Sequence, residues 1–350
     1  MLALFLLMAL SAVTLGGFSY RDNPQFVHLY KQLTWFLIGL AAFFFFSRFD
    51  YRILISHTWP ILAAYAFSIV LLLLTFAGPE IRGAHAWIVL GPLQFQPVEL
   101  LKFVLLLAWA KYFSRRHVEI ALARNLFGSV LFAAVPAIII ARQPDLGSIV
   151  ILVFLWLVMV LVSGITIKHL AIVGVALCVL SFIFWHGFLQ EYQKERILSF
   201  LFPMYDPLGA SYNIIQSKIA IGSGGFLGKG VGKGTQVQYG FLPEAKTDFI
   251  FAGIAEEWGL VGALFLIGAF GFMIYRILVI AYFTGDNFSK LFCLGAAGLF
   301  MIQFFLNVGS NIGLVPVTGV TLPLISYGGS SILISMAILG VVQSVATRMR

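Results

Sequence analysis

Residues 152 to 162 read Leu-Val-Phe-Leu-Trp-Leu-Val-Met-Val-Leu-Val, with no polar residue. A membrane β-strand alternates lipid-facing apolar with lumen-facing polar side chains, so an unbroken run excludes a barrel and demands a helix. Runs of spanning length fall at about 2–17, 31–47, 58–77, 98–113, 126–141, 147–163, 169–187, 258–281, 289–312 and 330–347. The first has no basic lead and no small-x-small cleavage site, which makes it a span rather than a signal peptide. Of the 350 residues 61% are hydrophobic and only 10% are charged, more apolar surface than a water-soluble core could bury. The expected fold is an all-α polytopic membrane protein of ten transmembrane helices. It forms a single integral domain over residues 1–350, with one large loop, 188–247, between helices 7 and 8.

Loop charge orients the spans. Arg48, Arg52, Lys111, Arg115, Arg116, Arg124, Lys168, Arg276, Lys290, Arg348 and Arg350 fall in one alternate set, against Arg21, Lys31, Arg82 and Arg142 in the other short loops. Basic residues favour the cytoplasm, so both termini are placed there and 188–247 outside. The net charge of +8 reflects this bias, and no basic block with interleaved aromatics points to nucleic acid. Cys178 and Cys293 lie inside apolar runs and behave as small hydrophobes. No tandem repeat is visible.

The outer loop opens on the charged stretch 190–196 and Phe-Leu-Phe-Pro, then carries a helix-like run, Tyr212 to Ile221, expected to lie along the membrane surface. Seven glycines follow, at 222, 224, 225, 228, 230, 232 and 234, with Lys229 and Lys233 among them. They read either as a loop whose amides and lysines receive phosphate oxygens or as a flexible linker. A Walker motif fails, because Leu227 and Gly234 stand where glycine and a hydroxyl are needed.

Ionisable groups near a bilayer are costly unless partnered or hydrated. Asp248 opens an apolar run directly after Pro243-Glu244-Ala245-Lys246-Thr247; it is either a helix cap or, with Thr247 as cap, a base. Glu256 and Glu257 fit a surface turn or a cavity edge. Glu99 and Lys102, three apart after Gln96-Pro97, form an intrahelical pair. Trp87 is a belt residue or a stacking face for a sugar. In Arg142-Gln143-Pro144-Asp145, Asp145 caps the following helix and Arg142 could serve an anion. The Ser326-Tyr327-Gly328-Gly329-Ser330-Ser331 stretch reads as capping and packing, then as substrate contact. No histidine pair at helical spacing, no HExxH and no Ser-His-Asp order supports a hydrolase.

Several segments carry a resemblance: Gly83-Ala84-His85-Ala86-Trp87, Gln96-Pro97-Val98-Glu99-Leu100-Leu101-Lys102, Gln143-Pro144-Asp145-Leu146-Gly147 and Gly222-Ser223-Gly224-Gly225. So do Leu242-Pro243-Glu244-Ala245-Lys246-Thr247-Asp248-Phe249-Ile250-Phe251 and Pro323-Leu324-Ile325-Ser326-Tyr327-Gly328-Gly329-Ser330. Nearly end to end the chain resembles the SEDS family (shape, elongation, division and sporulation), the polytopic peptidoglycan glycosyltransferases of the RodA and FtsW branches. The resemblance implies that Asp248 is the carboxylate on which polymerase activity depends. It also implies that Trp87, Glu99, Lys102 and Asp145 surround a central cavity. Val98 departs from the family's usual serine, and the nearly bare N-terminus suggests a trimmed or mis-started chain. Tyr30-Lys31-Gln32-Leu33 and 142–145 look closer to rod elongation, whereas 321–326 also occurs in the division branch.

The activity so implied is polymerisation of lipid II in the bacterial inner membrane. Asp248 activates the acceptor's 4-hydroxyl, a β-1,4 bond forms and undecaprenyl pyrophosphate leaves. Substrate binding is expected at Trp87, Glu99, Lys102, Arg142, Asp145, Arg196, Lys246, Thr247 and Ser326. Charge on the leaving group calls for Lys102, Arg142, Arg196, Lys246 or a divalent cation (Mg or Mn) that Asp248 could instead ligate. No organic cofactor is expected. Expected partners are a class B penicillin-binding protein transpeptidase and other elongation-complex membrane proteins. The competing readings are a flippase for a lipid-linked sugar, a scaffold for the transpeptidase, and a division-branch polymerase. Paired inverted halves, which a transporter would favour, are not seen.

Overall fold

The computed structural model describes residues 1–350 except 23–26, 82–83, 92, 116–122, 188, 203, 205, 210 and 350. Arg82, Gly83, Arg116, Phe188, Pro203 and Arg350, used above, lie outside the described residues, as do the side chains of Arg21 and Arg124.

In chain order the elements are α1 (Leu2–Asp22), α2 (Val27–Arg48), α3 (Arg52–Ser56), α4 (Trp59–Leu74), β1 (Ile88–Leu90), β2 (Leu93–Phe95), α5 (Pro97–Ser114), α6 (Ala123–Arg142) and α7 (Leu146–Val162). Then follow α8 (Ile167–Gly187), α9 (Glu191–Leu201), α10 (Tyr212–Ser223), α11 (Thr235–Gln238), α12 (Ile250–Phe283), α13 (Asn287–Ile312) and α14 (Gly329–Thr347). Among the described residues seven helices are long and apolar enough to cross a membrane: α2, α4 with its extension to Ala77, α6 from Asn125, α8, α12, α13 and α14. Leu2–Phe18 and Leu146–Val162 are shorter apolar helices. Helix α5 is 18 residues long but carries Glu99, Lys102 and Lys111, which lower its hydropathy. The protein is a multi-pass membrane protein.

Two readings of the sequence need correction. The chain is not wholly helical: β1 and β2 form an antiparallel hairpin pairing Ile88 with Phe95, Val89 with Gln94 and Leu90 with Leu93. The apolar, β-branched Ile88-Val89 favours a strand, and Gly91 lets the chain reverse. The segment 188–247 is also richer than one surface helix, holding α9, α10 and α11. Its charged start, Glu191 to Leu201, is helical, with Lys194 paired to Glu191 at 2.9 Å.

The chain divides into two compact units. The first comprises Met1–Ala42, Glu195–Arg276 and Phe300–Met336. Its interior is tied by long-range polar contacts. Ser11 Oγ donates to the Ile325 carbonyl at 2.6 Å, Gln32 Nε2 donates to Ser11 Oγ and to the Ser326 carbonyl, and Trp258 Nε1 donates to Thr14 Oγ1. Phe270 stacks on Phe304 with centroids 4.7 Å apart.

The second unit comprises Phe43–Lys194, Ile277–Leu299 and Ala337–Arg350. Helix α5 is its spine, with Leu101, Leu105, Leu106, Trp109, Ala110 and Phe113 fully buried. Trp109 Nε1 donates to the Ser129 carbonyl and Trp156 Nε1 to Ser129 Oγ, so one small residue of α6 satisfies two indoles. The Lys111 ammonium donates to the carbonyls of Leu54 and Ile55, which α3 leaves unbonded at its C-terminus. Helix α8 has no buried residue, as suits a helix solvated by lipid.

Helix α12 is two helices in one. At Gly259 the backbone turns to φ 67°, ψ −162°, outside helical geometry. A Cβ there would run into the backbone of Phe226 and Gly228 from the glycine-rich loop, so only glycine permits the approach.

Candidate functional site

In the first unit, the residues around Asp248 are held by an unusual set of bonds. Thr247 Oγ1 donates to the Glu244 carbonyl and to Glu244 Oε2 at 2.9 Å, so Thr247 does not cap α12. Glu244 stands at φ 53° and collects the amides of both Thr247 and Phe249 on its carbonyl. Left-handed backbone at a residue with a side chain costs about 1–3 kcal/mol and persists only where surrounding structure enforces it. Leu324, 1% exposed, shows the same strain at φ 67° in the facing segment.

That segment, residues 313–328, is latched to the Asp248 loop. Ser326 Oγ donates to the Thr247 carbonyl at 2.6 Å and accepts from the Leu322 amide at 2.9 Å, while the Tyr327 amide donates to the Lys246 carbonyl. Ser326 and Thr247, expected to touch substrate, are 2% and 8% exposed and use their hydroxyls inside the protein. Asp248 and Lys246 are half-buried. Gly319 lies across from the acid; a Cβ there would meet Asp248 Oδ2 at 3.8 Å. Burial pushes the Tyr327 phenol above the ordinary tyrosine range, so it stays protonated. Arg196 is exposed on α9.

From α13 two asparagines reach the same carbonyl. Asn307 Nδ2 and Asn311 Nδ2 donate to the Asp248 carbonyl at 3.0 and 2.9 Å. Asn311 Oδ1 accepts the Ala252 amide at 3.0 Å, and Ser217 Oγ of α10 donates to the Asn311 carbonyl. Sequence reasoning passed over both asparagines, which lie in none of the motif segments it singled out. The available signal was a polar pair four apart inside the apolar run 289–312.

Glu256 and Glu257 are not surface residues: they are 0% and 1% exposed. Glu256 Oε1 pairs with Lys229 Nζ at 2.8 Å and accepts from Thr235 Oγ1 and the Gln236 amide. Glu257 Oε1 accepts from the Gly232 amide, and the backbone carbonyls of Glu256 and Glu257 take the amides of Lys229 and Gly230. The glycine-rich loop thus receives carboxylates of its own chain, a role that neither a phosphate cradle nor a free linker describes.

In the second unit, Lys102 Nζ and Glu99 Oε1 are 2.8 Å apart at the start of α5, with side chains 2% and 9% exposed. Asp145 is the N-cap of α7: Oδ1 accepts the Ser148 amide at 3.0 Å, and Oδ2 accepts Ser148 Oγ and Gln96 Nε2. Gln143, buried, donates to the Leu72 carbonyl and Thr75 Oγ1. Trp87 is half-buried ahead of the hairpin, and Arg142 is exposed at the end of α6.

Among the described residues no group of three or more His, Cys, Asp or Glu could hold a metal ion. The described residues therefore supply no three-ligand cage for Mg or Mn, and Asp248 would share such an ion with substrate phosphates.

The family model described as FTSW_RODA_SPOVE, cell cycle protein, matches residues 1–350. The chain is 35% identical over 350 residues to peptidoglycan glycosyltransferase MrdB of Escherichia coli (strain K12), covering 99% of this chain and 92% of that one. It is similar to a solved chain from a peptidoglycan synthase complex that coordinates polymerization and crosslinking, with TM-score 0.82, 37% identity and coverage of 99% and 97%. It is also similar to the crystal structure of Thermus thermophilus rod shape determining protein RodA, with TM-score 0.71, 32% identity and coverage of 100% and 96%.

Proposed function

The chain belongs to the FtsW/RodA/SpoVE family, and on that premise we infer that it is a peptidoglycan glycosyltransferase serving cell-wall elongation and rod shape. Its substrate is lipid II, a disaccharide-pentapeptide joined through pyrophosphate to a polyprenol. The observation that carries the reading is Asp248: a half-buried carboxylate on a loop whose backbone is strained, latched by Ser326 and gripped by two asparagines.

In the reaction, Asp248 takes the proton of the acceptor's 4-hydroxyl as that oxygen attacks the donor's anomeric carbon. The bond from that carbon to the pyrophosphate oxygen breaks, the configuration inverts from α to β, and undecaprenyl pyrophosphate leaves with the electron pair. The proton passes from Asp248 to water before the next cycle. Lys246, two residues from the base, and Arg196, exposed in the same unit, are suited to the negative charge of the leaving group. Trp87 offers a ring face to a sugar and Arg142 a guanidinium to a phosphate. Glu99 and Lys102, paired with each other, and Asp145, bonded to Ser148 and Gln96, order the starts of α5 and α7.

The chain then forms a single integral domain of ten membrane-spanning helices in the bacterial inner membrane, with both termini cytoplasmic and 188–247 outside. The boundaries between its two compact units fall inside helices such as α2, α12, α13 and α14 rather than in linkers, which supports one domain. A class B penicillin-binding protein is the fitting partner, because a polymerised strand still has to be crosslinked.

Purified protein incubated with lipid II tests the activity. The enzyme yields glycan polymer on a gel; headgroup movement across liposomes without polymer would make it a transporter instead.

A further inference from the structure

We propose that Asn307 and Asn311 are positioning residues for the carboxylate of Asp248; the inference rests on Asp248 being the base of the proposed reaction. The argument begins with a missing helix bond. In an α-helix the amide of residue i bonds the carbonyl of residue i−4, so the Ala252 amide would close on the Asp248 carbonyl. Here the side-chain amide of Asn311 stands between them. Its Oδ1 accepts from Ala252 N at 3.0 Å and its Nδ2 donates to Asp248 O at 2.9 Å. The first backbone bond of α12 is instead Gly253 N to Phe249 O. The inserted carboxamide stops the helix from growing back over Asp248 and leaves that residue on a loop without leaving its backbone unsatisfied.

Asn307 strengthens the same grip. Its Nδ2 donates to both Asp248 O and Val320 O, at 3.0 and 2.8 Å. Two carbonyl acceptors fix which end of the amide points there, and the consequence is that Asn307 Oδ1 is buried with no hydrogen-bond partner. A buried polar atom left unbonded calls for a reason. Holding the Asp248 carbonyl and the 313–328 segment in one register supplies it. Asn311 is itself anchored, through its carbonyl, by Ser217 of α10. Helix α13 thus holds the backbone of one acid while it is itself tied to α10 and to the 313–328 segment.

The test is steady-state polymerisation of lipid II by the purified full chain carrying Asn307→Leu, Asn311→Leu, Asn311→Asp or Asp248→Asn, with melting temperatures measured alongside. Asn311→Leu lets the Ala252 amide close on Asp248 O and so keeps the fold. Asn311→Asp keeps the acceptor for Ala252 but removes the amide donor to the carbonyls of Asp248 and Asn307 and sets a carboxyl group against them. Because a misplacement of about 1 Å can cost about a hundredfold, the asparagine variants should lose kcat by about tenfold or more with KM within about twofold of wild type. Unchanged kcat in Asn307→Leu and Asn311→Asp, or a fall seen only in variants that also lose the folded state, overturns the positioning role while leaving the base intact. Full activity in Asp248→Asn overturns the base assignment itself.

Discussion

At the scale of single residues, Glu99 and Lys102 of α5 show how a membrane protein carries ionisable side chains. Glu99 and Lys102 sit one turn apart and neutralise each other at 2.8 Å, nearly without solvent. Removing one partner of such a pair strands the other and costs about 3–5 kcal/mol, whereas replacing both by apolar groups is often neutral. Thermal unfolding in detergent should therefore show Glu99→Met and Lys102→Met each strongly destabilised and the double variant close to wild type; additive losses would mean that the pair is not a closed unit. The pairing was readable from the three-residue spacing alone. The partner of Ser326 was not: read as capping and packing and then as a substrate contact, its hydroxyl bonds Thr247 O, 79 positions away, a relation no local pattern contains.

At the scale of elements, caps and breaks decide where helices stop. Asp145, expected as a cap, is one, holding the Ser148 amide and hydroxyl. Its replacement by alanine should lower stability by about 1 kcal/mol, read as a shift in melting temperature. Helix α12 shows what sequence patterns miss. Its apolar run is continuous enough to hide the break at Gly259, and the glutamates beside the break looked like surface residues. They are buried because the glycine-rich loop folds back and supplies Lys229, Thr235 and backbone amides to them. A Glu256→Gln variant weakens that clamp. Hydrogen exchange across 229–238 should then accelerate while exchange in α13 and α14 stays slow; equal protection in both proteins would remove the clamp from the account.

At the scale of the whole molecule, the membrane class was legible because hydropathy is a local property summed over twenty residues, and every apolar run read from the sequence is helical. The hairpin 88–95 was missed because two three-residue strands give too short a signal. Most of the Asp248 surroundings were missed because they join segments about sixty positions apart. Topology is tested by labelling single cysteines in cells with an impermeant thiol reagent. Leu208→Cys, 89% exposed in the 188–247 segment, should react in intact cells, and Arg52→Cys, also exposed, only after lysis; the reverse pattern would invert the protein. The central claim is that the Asp248 carboxylate removes the acceptor proton. It is tested most directly by comparing wild type and Asp248→Asn for lipid II binding and for polymer formation at saturating lipid II. The account predicts unchanged binding and a loss of rate of about a hundredfold or more; polymerisation at the wild-type rate by the asparagine variant would contradict it.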